Sequence, residues 1–590
     1  MFNKVSSILI TNKERFLIYR KLWTKFSKKR QNQLKFLTVL MFINAISEMV
    51  SLGLVAPFLS VLLDQDILWD SEVFANLLIY FNVKKDTNLS LPLTVIFIAS
   101  TLFTVLIRLL NLRVSTLLSQ KIGGELSCKA FEITLKKPYE NHINSNSSEL
   151  IAAISNYIIQ TVYGIDCVLS FLTSCLVALF LLITIFVIQP QLTFNVIFLL
   201  GTTYLIIAFF VSKRLNKNGI FIANSNKNQI KIMQESLGGI RDIIINNKRE
   251  HYKNKFRKID LPLRISLAEN AFIGTFPKYV IEAVAMIGIA LISINLIEKR
   301  SSAEILPYLG MIALAAQKIL PAVQQIFKSW TGLETQNEFI KKLIVILDQP
   351  VYFEKLNSAE KLSFENSIEF RNVSFRYEKC NKDILKNINF RIYKGQKVAI
   401  LGSTGSGKST TADILMGLLH PSSGEFLIDK KNIFENKFNL INKWRNNIAH
   451  VPQKIFFSDS SIAENIAFGE KKSNINYAMV RNVCKEAQID NYINSLPLKY
   501  DTIVGEGGAR LSGGQRQRLG IARALYSRKS FLVLDEATSA LDVSTEKAVL
   551  SSIGKLSNEF TIIFISHNQS IINFCDIVYQ IEDGKLRVKS

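Results

Sequence analysis

The sequence predicts a multidomain chain, in which an all-α transmembrane domain of six spanning helices precedes an α/β domain with a phosphate-binding loop. Three observations support this fold class. The N-terminal half contains six apolar stretches long enough to cross a bilayer. The C-terminal half alternates short β-rich runs with helical segments. One of those runs continues directly into the glycine-rich stretch 402–409.

The composition fits a chain that is part membrane protein and part soluble domain. Of the 590 residues, 48% are hydrophobic and 20% are charged. The positive mean hydropathy is high for an ordinary soluble protein, and the charged share is too high for a chain embedded in the membrane throughout. The six cysteines contain no CxxC pair, so neither a zinc site nor a disulfide framework is predicted. We expect no cleaved signal peptide.

The positive charge is concentrated before the first apolar stretch. The formal net charge is +23, and residues 1–35 are strongly basic with Glu14 as their one acidic residue. A basic segment beside a membrane helix is typical of a cytoplasmic flank. No zinc spacing or aromatic-interleaved RNA motif accompanies it. We therefore predict membrane lipid, and not nucleic acid, as the partner of this charge.

Six spans can be placed along the N-terminal half. They are residues 36–63, 91–112, 165–188, 192–211, 279–297 and 305–327. The connecting segments 113–164 and 212–278 are long, basic and helical in pattern, which predicts that they and both termini are cytoplasmic. Helices of that length would project tens of ångströms from the membrane, so we expect contacts with the C-terminal domain at residues 138–148 and 236–242.

Four regions follow from these patterns. A basic cytoplasmic segment covers residues 1–35, and the transmembrane domain covers 36–334. A linker over 335–365 precedes a nucleotide-binding domain over 366–590. Residues 71–81 have a helical apolar face; they form either an amphipathic helix on the outer leaflet or a packed external cap.

The glycine-rich stretch has the context of a nucleotide site, because an apolar strand over 397–401 precedes it and a helix begins near Lys408. Backbone N–H groups and the helix N-terminus would bind phosphate, Lys408 would reach the β- and γ-phosphates, and Ser409 would ligate Mg²⁺. The predicted nucleotide-binding residues of this loop are Gly402, Ser403, Thr404, Gly405, Ser406, Gly407, Lys408, Ser409 and Thr410.

Two acidic residues end a second apolar strand, residues 531–534. A carboxylate at Asp535 suits a Mg²⁺ shell, usually through water. The following residue, Glu536, is the predicted general base for an attacking water molecule. The predicted cofactors are therefore ATP and Mg²⁺.

These motifs resemble the nucleotide-binding domain of ATP-binding cassette (ABC) transporters, and the six spans resemble the exporter type. The resemblance implies that Tyr377 stacks on adenine, Gln453 contacts Mg²⁺ and the attacking water, and His567 contacts the γ-phosphate. It also implies that the signature residues and Asp542 act across a dimer on nucleotide held by a second subunit. The signature residues are Ser512, Gly513, Gly514 and Gln515. Because the single site is complete, a homodimer is expected.

Within the exporters, the sequence most resembles bacterial lipid-linked oligosaccharide flippases. The resemblance rests on Ser47-Glu48-Met49 through Pro57, the long first external loop, Arg108, and Lys318 through Ala322. It implies ATP-driven movement of a lipid-linked glycan to the outer leaflet of the bacterial inner membrane. Arg108 and Lys318 are candidate ligands of an anionic head group; the alternative is that they pair with Glu48 or Glu282. A multidrug or lipid exporter of the same fold is the alternative function.

Overall fold

The structure is a computed structural model of the chain. It describes residues 17–55, 57–58, 61, 89–144, 147–188, 190–297, 302–349, 360–378, 380–435, 439–555 and 560–589. The chain divides into two compact units. The first, the helical unit, comprises Met1–Lys137 and Ser145–Val351, and the second, the sheet unit, comprises Pro138–Asn144 and Tyr352–Ser590. The predicted external segment 71–81 lies outside the described residues.

Long helices make up the helical unit. They are α1 (Lys28–Gly53), α2 (Ser90–Leu135), α4 (Ser147–Ala152), α5 (Ile158–Ile188), α6 (Pro190–Gly238), α7 (Ile240–Ile245), α8 (Arg249–Ile297) and α9 (Ser302–Leu347). A π-helical turn, Ala153–Tyr157, joins α4 to α5. A further helical stretch, residues 17–25, precedes α1.

Within the described part of the chain, five helices are long and apolar enough to cross a membrane. They are Lys28–Gly53, Ser90–Leu135, Leu150–Val187, Ile197–Gly238 and Arg249–Gly288. Each overlaps a predicted span. The sixth predicted span, residues 305–327, falls within α9, and the total of six stays a prediction.

The helices continue well beyond the predicted spans, as the patterns of the connecting segments indicated. For example, α2 extends to Leu135 and α8 begins at Arg249. The segment 236–242 contains a helix break, because α6 ends at Gly238 and α7 begins at Ile240.

The first two helices run antiparallel, and their sequences explain the pairing. The Ser27 side chain caps the start of α1, where its hydroxyl accepts the Arg30 backbone N–H at 3.4 Å. The Arg30 Nε lies 2.8 Å from the Glu125 Oε1 of α2. Further along, the Thr104 hydroxyl of α2 donates to the Ser47 carbonyl at 3.0 Å. Pairing an early residue of α1 with a late residue of α2 requires opposite directions.

Glycines allow α9 to pack closely between α5 and α6. A Cβ added at Gly219 of α6 would lie 2.8 Å from the Thr335 carbonyl oxygen of α9. A Cβ added at Gly164 of α5 would lie 3.3 Å from the Gln336 Cβ, on the next residue of α9. Two neighbouring helices therefore contact α9 at adjacent positions with little room for a side chain.

Ten strands are described in the sheet unit. They are β1 (Ser367–Phe375), β2 (Leu385–Tyr393), β3 (Lys397–Gly402), β4 (Ser423–Ile428), β5 (Lys431–Asn432), β6 (Ile448–Val451), β7 (Phe531–Asp535), β8 (Thr561–Ser566), β9 (Ile577–Glu582) and β10 (Lys585–Val588). They form a four-stranded antiparallel sheet ordered β2-β1-β4-β5 and a six-stranded sheet ordered β10-β9-β3-β8-β7-β6. In the second sheet β9, β3, β8, β7 and β6 are parallel, and β10 is antiparallel.

The helices of the sheet unit connect and cover these strands. They are α3 (Tyr139–Asn144), α10 (Lys408–Leu415), α11 (Asn439–Arg445), α12 (Ile462–Ile466), α13 (Tyr477–Glu486), α14 (Asp490–Ser495), α15 (Gly513–Tyr526) and α16 (Val543–Lys555). Short 3₁₀ turns cover Lys472–Asn474, Lys499–Asp501, Glu506–Gly508 and Gln569–Phe574. This α/β architecture confirms the predicted fold class, and the predicted strands over 397–401 and 531–534 are both present as β3 and β7.

An aromatic core lies between the two sheets. Phe370 and Phe426 from the antiparallel sheet and Phe531 from the parallel sheet are fully buried with Trp444 of α11. The Trp444 indole N–H donates to the Leu415 carbonyl at 2.7 Å, which satisfies its one polar group. The core fixes α10 relative to the strand ends that carry the candidate site.

Although α3 lies between α2 and α4 in sequence, it clusters with the sheet unit. Tyr139 of α3 keeps much of its surface exposed, and partial burial together with the neighbouring Asp413 and Tyr377 raises the pKa of its hydroxyl. This position agrees with the predicted contact at 138–148. The contact predicted for 236–242, which belongs to the helical unit, stays a prediction.

Candidate nucleotide and substrate sites

The predicted phosphate loop has the expected strand–loop–helix geometry. It leaves the end of β3, and α10 begins at Lys408. Gly407 has a φ of 109°, and a Cβ there would lie 2.6 Å from Leu385 Cδ2, so only glycine fits. The buried Lys408 ammonium donates to the carbonyl oxygens of Gly402 and Ser403 at 2.8 Å each. The ammonium is thus held within the loop whose backbone N–H groups would bind a phosphate.

Parallel pairing brings three motif ends to one edge of the sheet. Leu401 of β3 pairs with Ser566 of β8, and Asp535 of β7 pairs with Ile565 of β8. The phosphate loop, Asp535-Glu536 and His567 therefore leave the carboxyl ends of adjacent strands, where ligands of such sheets bind.

Asp535 is a suitable partner for a divalent cation. Burial and the neighbouring Glu536 raise the pKa of its carboxyl to about 6, against an opposing effect of Lys408. Burial and Asp535 likewise raise the pKa of Asp413 to about 6. The described residues contain no group of three or more His, Cys, Asp or Glu side chains that could hold a metal. Together with the Ser409 hydroxyl, one carboxylate suits Mg²⁺, which usually also takes phosphate oxygens and water.

Glu536 lies at the centre of a hydrogen-bonded group. Gln453 Nε2 donates to its Oε2 at 2.6 Å, and His567 Nδ1 lies 3.2 Å from its Oε1. Its backbone has a φ of 49°, which is left-handed and uncommon for a residue other than glycine. Its N–H donates to the Ile565 carbonyl at 2.9 Å, which holds the turn against β8. A carboxylate oriented in this way can accept a proton from a water molecule.

The signature residues form the start of α15. The Ser512 hydroxyl accepts the Gln515 N–H at 3.2 Å, while the Gln515 side chain accepts the Ser512 N–H at 2.8 Å. This capping box places Ser512, Gly513 and Gly514 at the start of a helix. A helix N-terminus is a suitable position for an anion.

Gln517 is a site residue that the sequence analysis missed. It is buried, and its Nε2 donates to the Glu536 carbonyl at 3.2 Å and to the Ser539 hydroxyl at 3.1 Å. Its Oε1 accepts the Ala540 N–H at 2.9 Å. One side chain of α15 thus connects the signature helix to the loop that follows the candidate base.

Asp542 and Tyr377 have clear local environments. Asp542 precedes α16, where its carboxylate accepts the Thr545 N–H at 3.0 Å and the Ser544 hydroxyl. These hydrogen bonds from Ser544 and Thr545 hold the pKa of Asp542 well below its usual range. Asp542 is therefore a helix cap, and its contact across a dimer stays a prediction. The Tyr377 ring packs edge-on against Phe375, with centroids 4.9 Å apart.

A second candidate site is a cavity of about 920 Å³ within the helical unit. Both predicted substrate residues line it, Arg108 from α2 and Lys318 from α9. Lys318 Nζ lies 2.9 Å from Glu48 Oε2 and 3.0 Å from the Ser51 hydroxyl. The pairing alternative is therefore the arrangement observed for Lys318. Within the described residues, Arg108 has no ion-pair partner.

Two further cations line this cavity. Lys278 of α8 lies 3.8 Å from Glu282, and Lys328 belongs to α9. The sequence analysis missed them because each lies one residue outside a predicted span. The cavity therefore combines four basic side chains with the lining carboxylate of Glu48, an excess that favours an anionic ligand.

Two family models match the chain. One, described as an ABC transporter, matches residues 385–539. The other, described as an ABC transporter transmembrane region, matches residues 70–319. The two matched ranges do not overlap.

Two relatives illustrate how much of the chain is similar. It is 31% identical over 340 residues to "ABC transporter B family member 29, chloroplastic" of Arabidopsis thaliana, covering 57% of this chain and 50% of that protein. It is 37% identical over 272 residues to an "ATP-dependent lipid A-core flippase" of Haemophilus influenzae (strain 86-028NP), covering 45% of each. The chain thus spans about half the length of these curated relatives.

A solved structure extends the comparison to nearly the whole fold. A bacterial Atm1-family ABC exporter with ATP bound has a TM-score of 0.75 to this chain, covering 94% of each. The sequence identity is 20%, so the likeness shows the fold alone.

Proposed function

Because the chain is an ABC half-transporter of the exporter type, with the transmembrane region and the ABC domain in one polypeptide, we propose that it couples ATP hydrolysis to transport across a membrane. The observation that carries this proposal is the Glu536 carboxylate, oriented by Gln453 and His567 at the carboxyl edge of the sheet. A general base must be held where water can reach it beside the phosphate site.

The predicted site residues of the sheet unit have separate roles in this proposal. Lys408 and the loop N–H groups bind phosphate, and Tyr377 stacks on adenine. Mg²⁺ would be held by Ser409, Asp535 and Gln453. When bound, the cation would neutralise part of the phosphate charge. Glu536 takes the proton of the attacking water, and His567 contacts the γ-phosphate and fixes the orientation of Glu536.

We further propose a homodimer. Ser512, Gly513, Gly514 and Gln515 would contact nucleotide held by a second copy, and Asp542 would lie at the same interface. The chain carries both a phosphate loop and a signature helix, so two identical copies would complete two sites.

The proposed cargo is a lipid-linked glycan moved from the cytoplasmic to the outer leaflet of a bacterial inner membrane, with both termini of the chain cytoplasmic. The excess of cations in the cavity supports an anionic head group. A polyprenyl tail can remain in lipid, whereas a charged sugar head cannot cross hydrocarbon unaided. The similarity to a lipid A-core flippase supports a glycolipid class of cargo.

Reconstitution in liposomes tests this function. The purified protein would be offered polyprenyl-diphosphate sugars, lipopolysaccharide precursors and hydrophobic drugs in parallel, with ATPase activity and flipping measured. Stimulation and flipping by the polyprenyl-diphosphate sugars are expected. Stimulation by drugs alone would instead support the multidrug alternative.

Two substitutions test whether the cavity takes part in transport. Arg108→Ala and Lys318→Ala should reduce flipping more than basal ATPase activity, because both side chains line the cavity and neither belongs to the sheet unit. Arg113→Ala is the matched control, since Arg113 is an exposed cation of the same helix as Arg108. Unchanged flipping in both cavity variants would remove the role of these charges.

A further inference from the structure

Polar side chains follow one face of each of the two antiparallel helices α1 and α2. On α1 the cavity-lining row includes Asn44 and Glu48, and on α2 it includes Thr104, Arg108 and Asn111. Spacings of three, four and seven residues place side chains on one face of a helix. Polar groups are costly in a membrane-crossing helix and usually face an interior cavity or a ligand.

The pairing of the two helices places both asparagines near Arg108. Arg30 pairs with Glu125, and Ser47 pairs with Thr104. Because the helices are antiparallel, the residue numbers of two facing positions add up to nearly the same total along the pair. By this register Asn44 lies at the level of Arg108. Asn111 is one helical turn, about 5 Å, further along α2.

The two asparagines differ from the hydroxyl side chains around them. Asn44 and Asn111 are only 3% and 5% exposed, and the Oδ1 of each has no hydrogen-bond donor among the described residues. By contrast, the Thr101 hydroxyl, which also lines the cavity, donates to the Phe97 carbonyl of its own helix at 2.8 Å. A buried acceptor without a donor is destabilising and therefore points to a ligand that supplies one.

We propose that Asn44 and Asn111 form a hydroxyl-binding subsite for the first sugar of a diphosphate-linked lipid, with the phosphate bound by Arg108. The inference rests on the proposed glycolipid cargo and deepens it. Sugar hydroxyls donate hydrogen bonds, whereas an ionised diphosphate only accepts them, so the two amide oxygens recognise the sugar and the guanidinium recognises the phosphate. The subsite would thus select glycan-bearing lipids over their sugar-free carriers.

The test compares two lipids on the full-length protein in nanodiscs. One is a polyprenyl diphosphate, and the other is the same lipid carrying a single N-acetylhexosamine. Asn44→Leu and Asn111→Leu keep the side-chain volume and remove the acceptor. Each should weaken binding of the sugar-bearing lipid about 5- to 10-fold and leave the sugar-free lipid unchanged. Thr101→Val is the matched control, because its hydroxyl is already bonded within α2.

A second measurement needs no variant. The wild-type protein should bind the lipid with a permethylated sugar more weakly than the lipid with free hydroxyls, because the methylated sugar hydroxyls cannot donate. Equal binding of those two lipids, or an equal loss for both carriers in the leucine variants, would overturn the subsite. A wild-type protein that binds neither the sugar-bearing nor the sugar-free lipid would overturn the proposed cargo as well.

Discussion

The sheet unit and the helical unit assemble their functional groups in opposite ways. Glu536 and His567 each follow directly on a β-strand, and Lys408 ends the loop that leaves β3, so the parallel pairing of β3, β7 and β8 brings all three to one edge. The cavity of the helical unit receives polar side chains from several long helices, such as Arg108 from α2 and Lys318 from α9. Functional side chains at strand ends can be recognised from the neighbouring sequence. The positions of functional side chains on long helices depend instead on how each helix is rotated and on its register with its neighbours.

The largest expected effect lies at the strand edge. Glu536→Gln should lower ATP turnover by about 10²- to 10⁴-fold, because it removes the proton acceptor while keeping the side-chain shape. ATP binding should be retained. Phosphate release and nucleotide trapping by the purified protein measure the two effects. Glu582→Gln, an exposed change at the end of β9, is the control, and normal turnover in Glu536→Gln would contradict the role of this residue.

The next largest effect is on stability, and it contrasts a buried aromatic side chain of the sheet unit with an exposed one of the helical unit. Trp444→Ala should destabilise the sheet unit by about 3–5 kcal/mol, because it empties a fully buried aromatic site and leaves the Leu415 carbonyl unpaired. Phe210→Ala, at a side chain 75% exposed on α6, should change stability by less than about 0.5 kcal/mol. Hydrogen exchange of β7 amides reports the first change. Unaltered protection there would show that the aromatic core does not stabilise the site.

A smaller effect depends on pH. Burial lowers the pKa of His450 on β6 to about 4, below the value of about 6.5 expected in the unfolded chain. The neutral form is therefore favoured by folding, and this stability is complete above pH 6.5 and lost as the pH falls toward 4. His450→Gln should remove about 2–3 kcal/mol of the acid-induced loss of stability.

Thermal unfolding of the purified protein between pH 7 and pH 4.5 measures this difference. His251→Gln serves as the control, because His251 is exposed on α8 of the helical unit. Parallel pH profiles for wild type and His450→Gln would mean that His450 is not the group responsible.

The smallest effect concerns positioning. Gln517→Leu should reduce ATP turnover about 10-fold with little change in ATP affinity, because it releases the loop at Ser539 and Ala540 without touching the phosphate loop. Gln517→Glu should recover part of the activity, since it keeps an acceptor for the Ala540 N–H. A loss confined to ATP affinity would assign Gln517 to binding instead.

Sequence reasoning located the strand edge well and the cavity poorly, for physical reasons. The β3–loop–α10 geometry is specified by adjacent residues, and the structure confirms it. Gln517 was missed because nothing within α15 indicates that this amide reaches a separate loop. Asn44 and Asn111 were missed because an uncharged amide in an apolar span gives a weak signal until the facing helix is known.

The close packing of α9 against Gly164 and Gly219 has a mechanical consequence. With backbones this near, α5, α6 and α9 have little freedom to slide or roll past one another. A force that moves one of these three helices would therefore move all three together as a rigid body. An alanine at Gly219 would place its Cβ 2.8 Å from the Thr335 carbonyl oxygen, so α6 and α9 would have to move apart.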